Sequence, residues 1–215
     1  MSTFIHQFTL YITGLPLLEL IAMLLSLAYV ILAAKGSLWC WPAAFISTAI
    51  YALIFYDVSL LMDSALSVYY LLMAVYGYWA WHSHSKNTGD KPTTFFEVKT
   101  LSLSWHVNAG VVLILISLAL GYLMASYTTA SFPYIDTFTT VFAVFATYLV
   151  TQKIVENWLY WIVIDFVSIY LYIEKGLIPT TVLFVIYVFV ASYGYIKWRS
   201  LYLKNALNQQ CLLAS

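Results

Sequence analysis

The sequence predicts an all-α integral membrane protein with seven transmembrane helices. Of its 215 residues, 63% are hydrophobic and only 8% are charged, whereas about a quarter of the residues in a soluble domain are charged. Seven windows approach the roughly 20 apolar residues that one helical crossing requires. They are Leu15–Ala34, Trp39–Tyr56, Met62–Trp81, Trp105–Tyr127, Ile135–Thr151, Trp158–Ile173 and Ile178–Trp198.

Polar segments and a repeat divide the chain around these spans. The first 14 residues lack the basic start and the cleavage site of a signal peptide, so we interpret them as an external lead-in. The only long polar stretch is rich in Gly, Pro, Ser and Thr, as a solvated loop is. The predicted divisions are the lead-in (1–14), a first three-helix repeat (15–83), a cytoplasmic loop (84–104), a linker helix (105–130), a second three-helix repeat (131–200) and a cytoplasmic tail (201–215).

The distribution of basic residues predicts how the chain crosses the membrane. Seven spans place eight of the nine Lys and Arg residues on one side and only Lys175 on the other. Cytoplasmic loops carry the excess of Lys and Arg, so the N-terminus is predicted outside and the C-terminus inside. The formal net charge of zero argues against nucleic acid as a partner, because nucleic-acid binding needs a basic excess.

The sequence repeats itself at a constant offset of 117 residues without gaps, so that spans one to three recur as spans five to seven. The matches are Pro16 with Pro133, Trp41 with Trp158, Tyr70 with Tyr187, Tyr76-Gly77-Tyr78 with Tyr193-Gly194-Tyr195, and Trp81 with Trp198. Equivalent helices are four spans apart and therefore run in the same direction. A parallel repeat joined by one inverting helix, 3+1+3, is a transporter architecture that holds its substrate near the midplane.

Several motifs together resemble those of the PnuC family of vitamin transporters. They are WCWPAAF at the start of span two, NWLYW at the start of span six, LYIEKGLIPTTVL before span seven and the closing YGYIKW. The resemblance extends over about Leu15–Trp198. It implies a fold similar to that of the SWEET sugar transporters, a homotrimer, and facilitated diffusion of nicotinamide riboside across the bacterial inner membrane. It also implies trapping of the substrate by a cytoplasmic kinase, with no cofactor.

Span six carries the candidate substrate site. Trp158, Trp161, Asp165, Ser168 and Tyr172 recur at spacings of three and four and share one helix face. A carboxylate this deep in an apolar span is costly, which makes Asp165 a functional hypothesis by default. The repeat places Trp41, Ala44, Thr48, Tyr51 and Phe55 at the equivalent positions of span two, so the charge belongs to one copy only.

This face suits a flat cation with hydroxyl groups. A pyridinium ring stacked on Trp161 or Trp158 gains about 2 kcal/mol of cation–π attraction when desolvated. Asp165 is predicted to bind ribose hydroxyls or to balance the ring charge. Further polar contacts are predicted from Asn157, Ser168, Ser47, Thr48 and Tyr51.

Each of these assignments has an alternative. Trp41, Trp81, Trp158 and Trp198 lie near predicted span ends, where an aromatic belt places Trp, and we prefer the belt for all but Trp158. Ser and Thr inside spans more often serve helix packing. Five carboxylates at the predicted outer ends suit a solvated rim, but Glu19 and Asp136 occupy equivalent positions and are predicted to form the mouth of the pathway. The rim residues are Glu19, Asp57, Asp63, Asp136 and Glu174.

Competing functions differ in what they require of the sequence. The chain departs from nicotinamide riboside transporters at Ser67, where they often have Gln, and thiamine, also a cationic aromatic vitamin, suits the same face. An intramembrane enzyme needs paired catalytic groups or a metal set at membrane depth, but all four histidines lie at predicted ends or loops, and no metal site is predicted. A receptor or sensor needs a signalling domain, which the sequence does not indicate.

Overall fold

The computed structural model describes residues 17–57, 61–86, 97–128, 131–174, 176 and 178–214, and within them every predicted span corresponds to one α-helix. The lead-in, positions 87–96 of the loop, Pro16 and Lys175 lie outside the described residues. In chain order the helices are α1 (Leu17–Ala34), α2 (Cys40–Asp57), α3 (Leu61–Lys86), α4 (Leu103–Tyr127), α5 (Pro133–Thr151), α6 (Asn157–Glu174) and α7 (Ile178–Ala214).

The largest difference from the predicted boundaries lies at the C-terminal end. The segment predicted as a separate polar tail instead continues α7 as helix to Ala214. Its polarity ends the apolar span but not the helix, because the segment contains neither Pro nor Gly and is rich in Leu, Ala and Gln, which favour helix. In the same way α3 continues past the apolar window to Lys86.

Four of the seven described helices are long and apolar enough to cross a membrane, namely α1, α4, α5 and the Thr180–Asn208 part of α7. The apolar part of α2 is shorter and covers Cys40–Ile54. In α6, Asn157, Asp165 and several Tyr and Trp residues lower the hydropathy. The helical, membrane-spanning class is confirmed, and the crossings by α2, α3 and α6 stay predictions.

The chain divides into two compact units, Met1–Thr94 and Phe95–Ser215. In the first unit α2 packs against both α1 and α3. In the second unit α4, α5, α6 and α7 pack against one another in chain order. The linker helix α4 therefore packs with the second set of three helices.

Equivalent turns in the two units share their backbone hydrogen bonds. The turn from α1 to α2 and the turn from α5 to α6 each contain a left-handed residue, Gly36 (φ 69°) and Lys153 (φ 57°), which are 117 positions apart. Ser37 N donates to Leu32 O at 3.0 Å in one turn, and Ile154 N donates to Leu149 O at 3.1 Å in the other. The repeat found in the sequence thus extends to the local backbone geometry.

Each unit also contains one tightly packed aromatic group, which we name the tryptophan clasp. An indole ring from the start of α2 fills the space above a glycine of α3, and one from the start of α6 fills the space above a glycine of α7. A second tryptophan, four residues after that glycine, meets the ring edge-on, at 5.2 Å in the first unit and 5.4 Å in the second. The clasps consist of Trp41, Gly77 and Trp81, and of Trp158, Gly194 and Trp198.

The linker helix α4 contacts its own unit through a narrow line of small and apolar residues. Its buried residues are Leu113, Ser117 and Gly121, each one turn after the last. Thr137 of α5 donates to the Ser117 carbonyl at 3.0 Å, and a Cβ at Gly121 would lie 2.5 Å from the ring of Tyr134. The other faces of α4 expose large apolar side chains, as expected of a helix that contacts lipid.

The left-handed residue at the second turn leads to a stability prediction. A side chain at positive φ costs about 1–2 kcal/mol that glycine does not incur. Burial lowers the pKa of the Lys153 ammonium, with Glu97 opposing this effect and Lys99 adding to it. We expect Lys153→Gly to raise the thermal unfolding midpoint of the purified protein, measured in detergent.

Lys153→Ala is the matched control because it removes the same amine but keeps a Cβ at positive φ. The glycine variant should exceed the alanine variant by about 1 kcal/mol. Equal stability of the two variants would show that backbone conformation contributes nothing at this turn. Gly36→Ala should lose a similar amount in the first unit.

Candidate functional site

One face of α6 is buried within the second unit and carries most of the candidate substrate residues. The helix begins directly after a turn in which Lys99 N donates to the Lys153 carbonyl at 2.9 Å and Val155 N donates to the Lys99 carbonyl at 2.8 Å. This turn fixes where the first residues of the helix lie. The buried residues of α6 are Asn157, Trp158, Ile164, Asp165, Ser168 and Leu171.

Asp165 is buried in the middle of this face, with 4% of its surface exposed. Its carboxylate makes no hydrogen bond to any residue that the structure describes. Trp158 and Tyr172, seven residues away on either side, both contact α7, through Trp198 and Phe184 respectively. Asp165 therefore lies on the row of α6 that faces α7, without a described partner for its charge.

Three neighbouring polar side chains are also incompletely bonded. Asn157 donates through Nδ2 to the Ile154 carbonyl, but its Oδ1 accepts nothing in the described part of the chain. The buried Nε1–H of Trp158 likewise has no acceptor among these residues. Ser168, one turn from Asp165, is buried without a described hydrogen bond. Buried polar groups are nearly always bonded, so this face offers both donors and acceptors to a ligand.

Trp161 lies at the edge of the same face. It is half-buried and packs against the apolar core of the second unit, which consists of Leu113, Phe142, Ala143, Ala146 and Ile164. This core combines residues of α4, α5 and α6, so one side of the indole is already covered within the second unit.

The candidate residues of the first unit lie on α2. Ser47 is buried and donates to the Ala44 carbonyl at 3.0 Å, so its hydroxyl already has an acceptor. Thr48 is half-buried and makes no hydrogen bond with the described residues. Tyr51, one turn further along, is half-buried.

The two predicted mouth residues occupy matching places in their own units. Glu19 lies in the first turn of α1 and Asp136 in the first turn of α5, and both are half-buried. An anion is favourable at both positions because the N-terminus of a helix carries partial positive charge. Glu174 is exposed at the end of α6, whereas the side chains of Asp57 and Asp63 lie outside the description.

The aromatic-belt interpretation of three tryptophans is wrong. Trp41, Trp81 and Trp198 are buried inside their units instead of being exposed at a membrane interface. The reason is the clasp, in which a glycine on the adjacent helix leaves room for an indole ring. Trp158 belongs to the second clasp, so its packing is structural whether or not its Nε1–H also meets a ligand.

Sequence reasoning missed one polar cluster. His106 lies in the first turn of α4, in agreement with its predicted place at an end or loop, but its contacts with Tyr160 and Glu156 are not predicted by the sequence. The predicted span begins at Trp105, so His106 is only its second residue. The helical spacing of apolar residues therefore does not predict that His106 is part of the core. No group of three or more His, Cys, Asp or Glu residues that could hold a metal ion occurs among the described residues.

Comparisons with known proteins all indicate the same kind of molecule. A family model described as "Nicotinamide mononucleotide transporter" matches residues 16–200. The nicotinamide riboside transporter PnuC of Escherichia coli K12 is 25% identical over 174 residues, which cover 71% of this chain and 72% of that protein. The riboflavin/roseoflavin transporter RibM of Streptomyces davaonensis is 23% identical over 183 residues, covering 84% and 83% respectively.

A solved structure shares the fold. The crystal structure of the vitamin B3 transporter PnuC superposes with a TM-score of 0.71 and covers 94% of this chain and 90% of that one. The sequence identity is 20%. At this identity the likeness establishes the arrangement of the backbone, while the ligand depends on individual side chains.

Proposed function

The chain belongs to the nicotinamide mononucleotide transporter family, and we propose that it carries nicotinamide riboside into the cell by facilitated diffusion. As a member of this family it is a multi-pass inner-membrane transporter and not an enzyme. The substrate proposed here is the one named for the Escherichia coli and Shigella flexneri relatives. It joins a cationic pyridinium ring to a ribose.

The single observation that carries this proposal is the state of Asp165. A carboxylate that is 4% exposed and has no described hydrogen-bond partner is expensive to maintain. Binding a cation or a pair of sugar hydroxyls supplies the missing interactions. An uncharged, purely apolar ligand leaves this cost uncompensated.

The neighbouring side chains fit the two halves of the same substrate. The half-buried ring of Trp161, covered on one side by the core of the second unit, suits stacking with the pyridinium. The unbonded Nε1–H of Trp158, Oδ1 of Asn157 and the Ser168 hydroxyl suit the ribose and the carboxamide. In the first unit we assign substrate contacts to Thr48, Ser47 and Tyr51.

We extend the proposal to topology and assembly. The chain is arranged as 3+1+3 helices around linker α4, with its N-terminus outside and its C-terminus in the cytoplasm, as the eight-to-one distribution of basic residues favours. Glu19 and Asp136 attract the cation at the external mouth. The protein works as a homotrimer, and a cytoplasmic kinase traps the substrate by phosphorylation.

The substrate assignment is tested by titrating the purified protein with nicotinamide riboside, thiamine and riboflavin and measuring the dissociation constants. We expect nicotinamide riboside to bind most tightly, and Trp161→Ala to weaken its binding by about tenfold or more through loss of the stacked ring. Trp161→Phe should retain most of the affinity because it keeps an aromatic face.

Two results would change this assignment. Tighter binding of thiamine than of nicotinamide riboside would keep the cationic site but reverse the choice of vitamin. Tighter binding of riboflavin, which carries no positive charge but has a chain of hydroxyl groups, would overturn nicotinamide riboside as the substrate and leave Asp165 only a role in binding hydroxyls. Thiamine is the rival of the same chemical class, and riboflavin is the ligand named for the Streptomyces relative.

A further inference from the structure

An imidazole on α4 contacts the beginning of α6 within the second unit. His106 Nδ1 and the Tyr160 hydroxyl lie 3.0 Å apart, and His106 Nε2 lies 3.7 Å from Glu156 Oε2. The His106 and Glu156 side chains are 13% and 21% exposed. Both atoms are buried, and neither Nε2 nor Oε2 has a hydrogen-bond partner among the described residues.

Aromatic packing holds this contact in place. The ring of Trp105 meets His106 edge-on at 5.1 Å and stacks on Phe145 of α5 at 5.8 Å. Phe145 in turn meets the ring of Tyr160 at 5.3 Å. The titratable groups that contact the imidazole are Tyr160 and Glu156, both from the start of α6, while α5 contributes an apolar ring.

The contacted residues control the first turn of α6. The Glu156 carbonyl accepts the first helical hydrogen bonds, from Leu159 N at 3.0 Å and Tyr160 N at 3.4 Å. His106 thus holds the residue before the helix and a residue one turn into it. Asn157, Trp158 and Trp161 lie within the same turn, on the buried side.

We propose that His106 is a positioning residue for the transport site, bridging Glu156 and Tyr160 so that the first turn of α6 presents Asn157, Trp158 and Trp161 to the substrate. This inference rests on the proposed function. The 117-residue offset places Trp39 and Ala43 at the positions of Glu156 and Tyr160. The bridge therefore belongs only to the unit that carries Asp165.

The bridge responds to protonation. A neutral imidazole has one N–H, and the bond to the Tyr160 hydroxyl forms with either tautomer. A protonated imidazole donates from both nitrogens, so that Nε2–H faces the Glu156 carboxylate and forms a charge-assisted contact after a movement of less than an ångström. The first turn of α6 is consequently held more firmly at lower pH.

The experiment measures nicotinamide riboside binding to the full-length protein between about pH 8 and about pH 5.5, where imidazole ordinarily changes charge. The ratio of wild-type affinity to Glu156→Gln affinity should increase as the pH falls, because any change of charge at Asp165 affects both proteins alike. His106→Gln and Tyr160→Phe should each bind about threefold to tenfold more weakly than wild type at pH 5.5. Glu156→Gln keeps the shape and a polar partner, and it should match wild type at pH 8 but bind more weakly than wild type at pH 5.5.

Asn108→Ala is the matched control, since Asn108 is an exposed polar residue on the same helix, two positions from His106. It should behave as wild type at every pH. If Asp165→Asn abolishes binding while His106→Gln and Glu156→Gln match wild type at every pH, the positioning role is wrong and the proposed function stands.

A readout that needs no substrate separates the two proposals. Hydrogen exchange at residues 157–161 should be faster in His106→Gln and Tyr160→Phe than in Asn108→Ala, because the bridge is lost. If wild type binds no nicotinamide riboside, the proposed substrate is wrong. The hydrogen-exchange rates then test by themselves whether His106 positions the first turn of α6. Unchanged hydrogen-exchange rates in both His106→Gln and Tyr160→Phe would overturn the positioning role of His106.

Discussion

Replacing Asp165 by asparagine is expected to abolish transport and at the same time to stabilise the protein. The variant keeps the shape of the side chain but removes the charge that binds the cation. Losing one partner of a buried charged contact costs about 2–5 kcal/mol, which weakens binding by roughly 30-fold or more. Without substrate, relieving a buried carboxylate that has no described partner should gain about 1–3 kcal/mol. Substrate titration and thermal unfolding of the purified variant measure the two effects.

The control for these opposite effects on binding and on stability is a buried polar residue whose hydrogen bond is made within the protein. Thr147 is buried on α5, and its hydroxyl donates to the Ala143 carbonyl at 2.8 Å. Thr147→Val removes this hydrogen bond, so it should lower the unfolding midpoint slightly and leave substrate binding unchanged. If Asp165→Asn instead lowers the unfolding midpoint and keeps wild-type affinity, Asp165 is structural and the site is wrong.

Adding one methyl group at Gly194 is expected to cause the largest loss of stability. A Cβ there would lie 2.7 Å from two atoms of the Trp158 indole, well inside the normal contact distance of about 3.5–4.0 Å. Relief requires moving a buried ring that is also held by Trp198, so we expect a loss of about 3 kcal/mol and a fall in the unfolding midpoint of about 10 °C. Gly77→Ala should cause a similar loss of stability, because its Cβ would overlap the Trp41 ring.

The chain provides a matched glycine for comparison. Gly110 lies inside α4, and a Cβ there would meet nothing within 4 Å. Gly110→Ala should therefore be neutral or stabilising by up to about 1 kcal/mol, the difference in helix propensity. A loss of stability in Gly110→Ala equal to that in Gly194→Ala would show that the tryptophan clasp does not cause the loss. The double variant Gly77→Ala with Trp41→Phe should recover part of the stability that Gly77→Ala loses.

Sequence patterns predicted the helices of this protein well because hydrophobic runs are a local property. The shared left-handed conformation of Gly36 and Lys153 was not predicted, because a lysine gives no sequence signal for positive φ. The helical continuation from Trp198 to Ala214 was not predicted either, because helix propensity and membrane solubility are separate properties and hydropathy measures only the second.

Contacts between helices were the part that the sequence could not supply. The offset paired Trp41 with Trp158 and Gly77 with Gly194, but no spacing along the chain says that this ring lies over that glycine.

The candidate site shows the same division between local and long-range information. Asp165 was recognisable as a carboxylate in an apolar run, and its burial on one face with Trp158 and Ser168 agrees with the helical spacing. The lack of a described partner for it depends on side chains far away in sequence. The contact of His106 with Tyr160 joins positions 54 residues apart and had no sequence signal.

The central claim is tested most directly by counterflow in proteoliposomes that contain only this protein. Labelled nicotinamide riboside should enter faster when unlabelled nicotinamide riboside is enclosed. In vesicles with no enclosed substrate, uptake should stop at equal concentrations on the two sides with or without a pH step. Vesicles carrying Asp165→Asn should show no flux above protein-free vesicles. Accumulation against the gradient driven by the pH step, or the absence of protein-dependent flux in wild type, would contradict facilitated diffusion of this substrate.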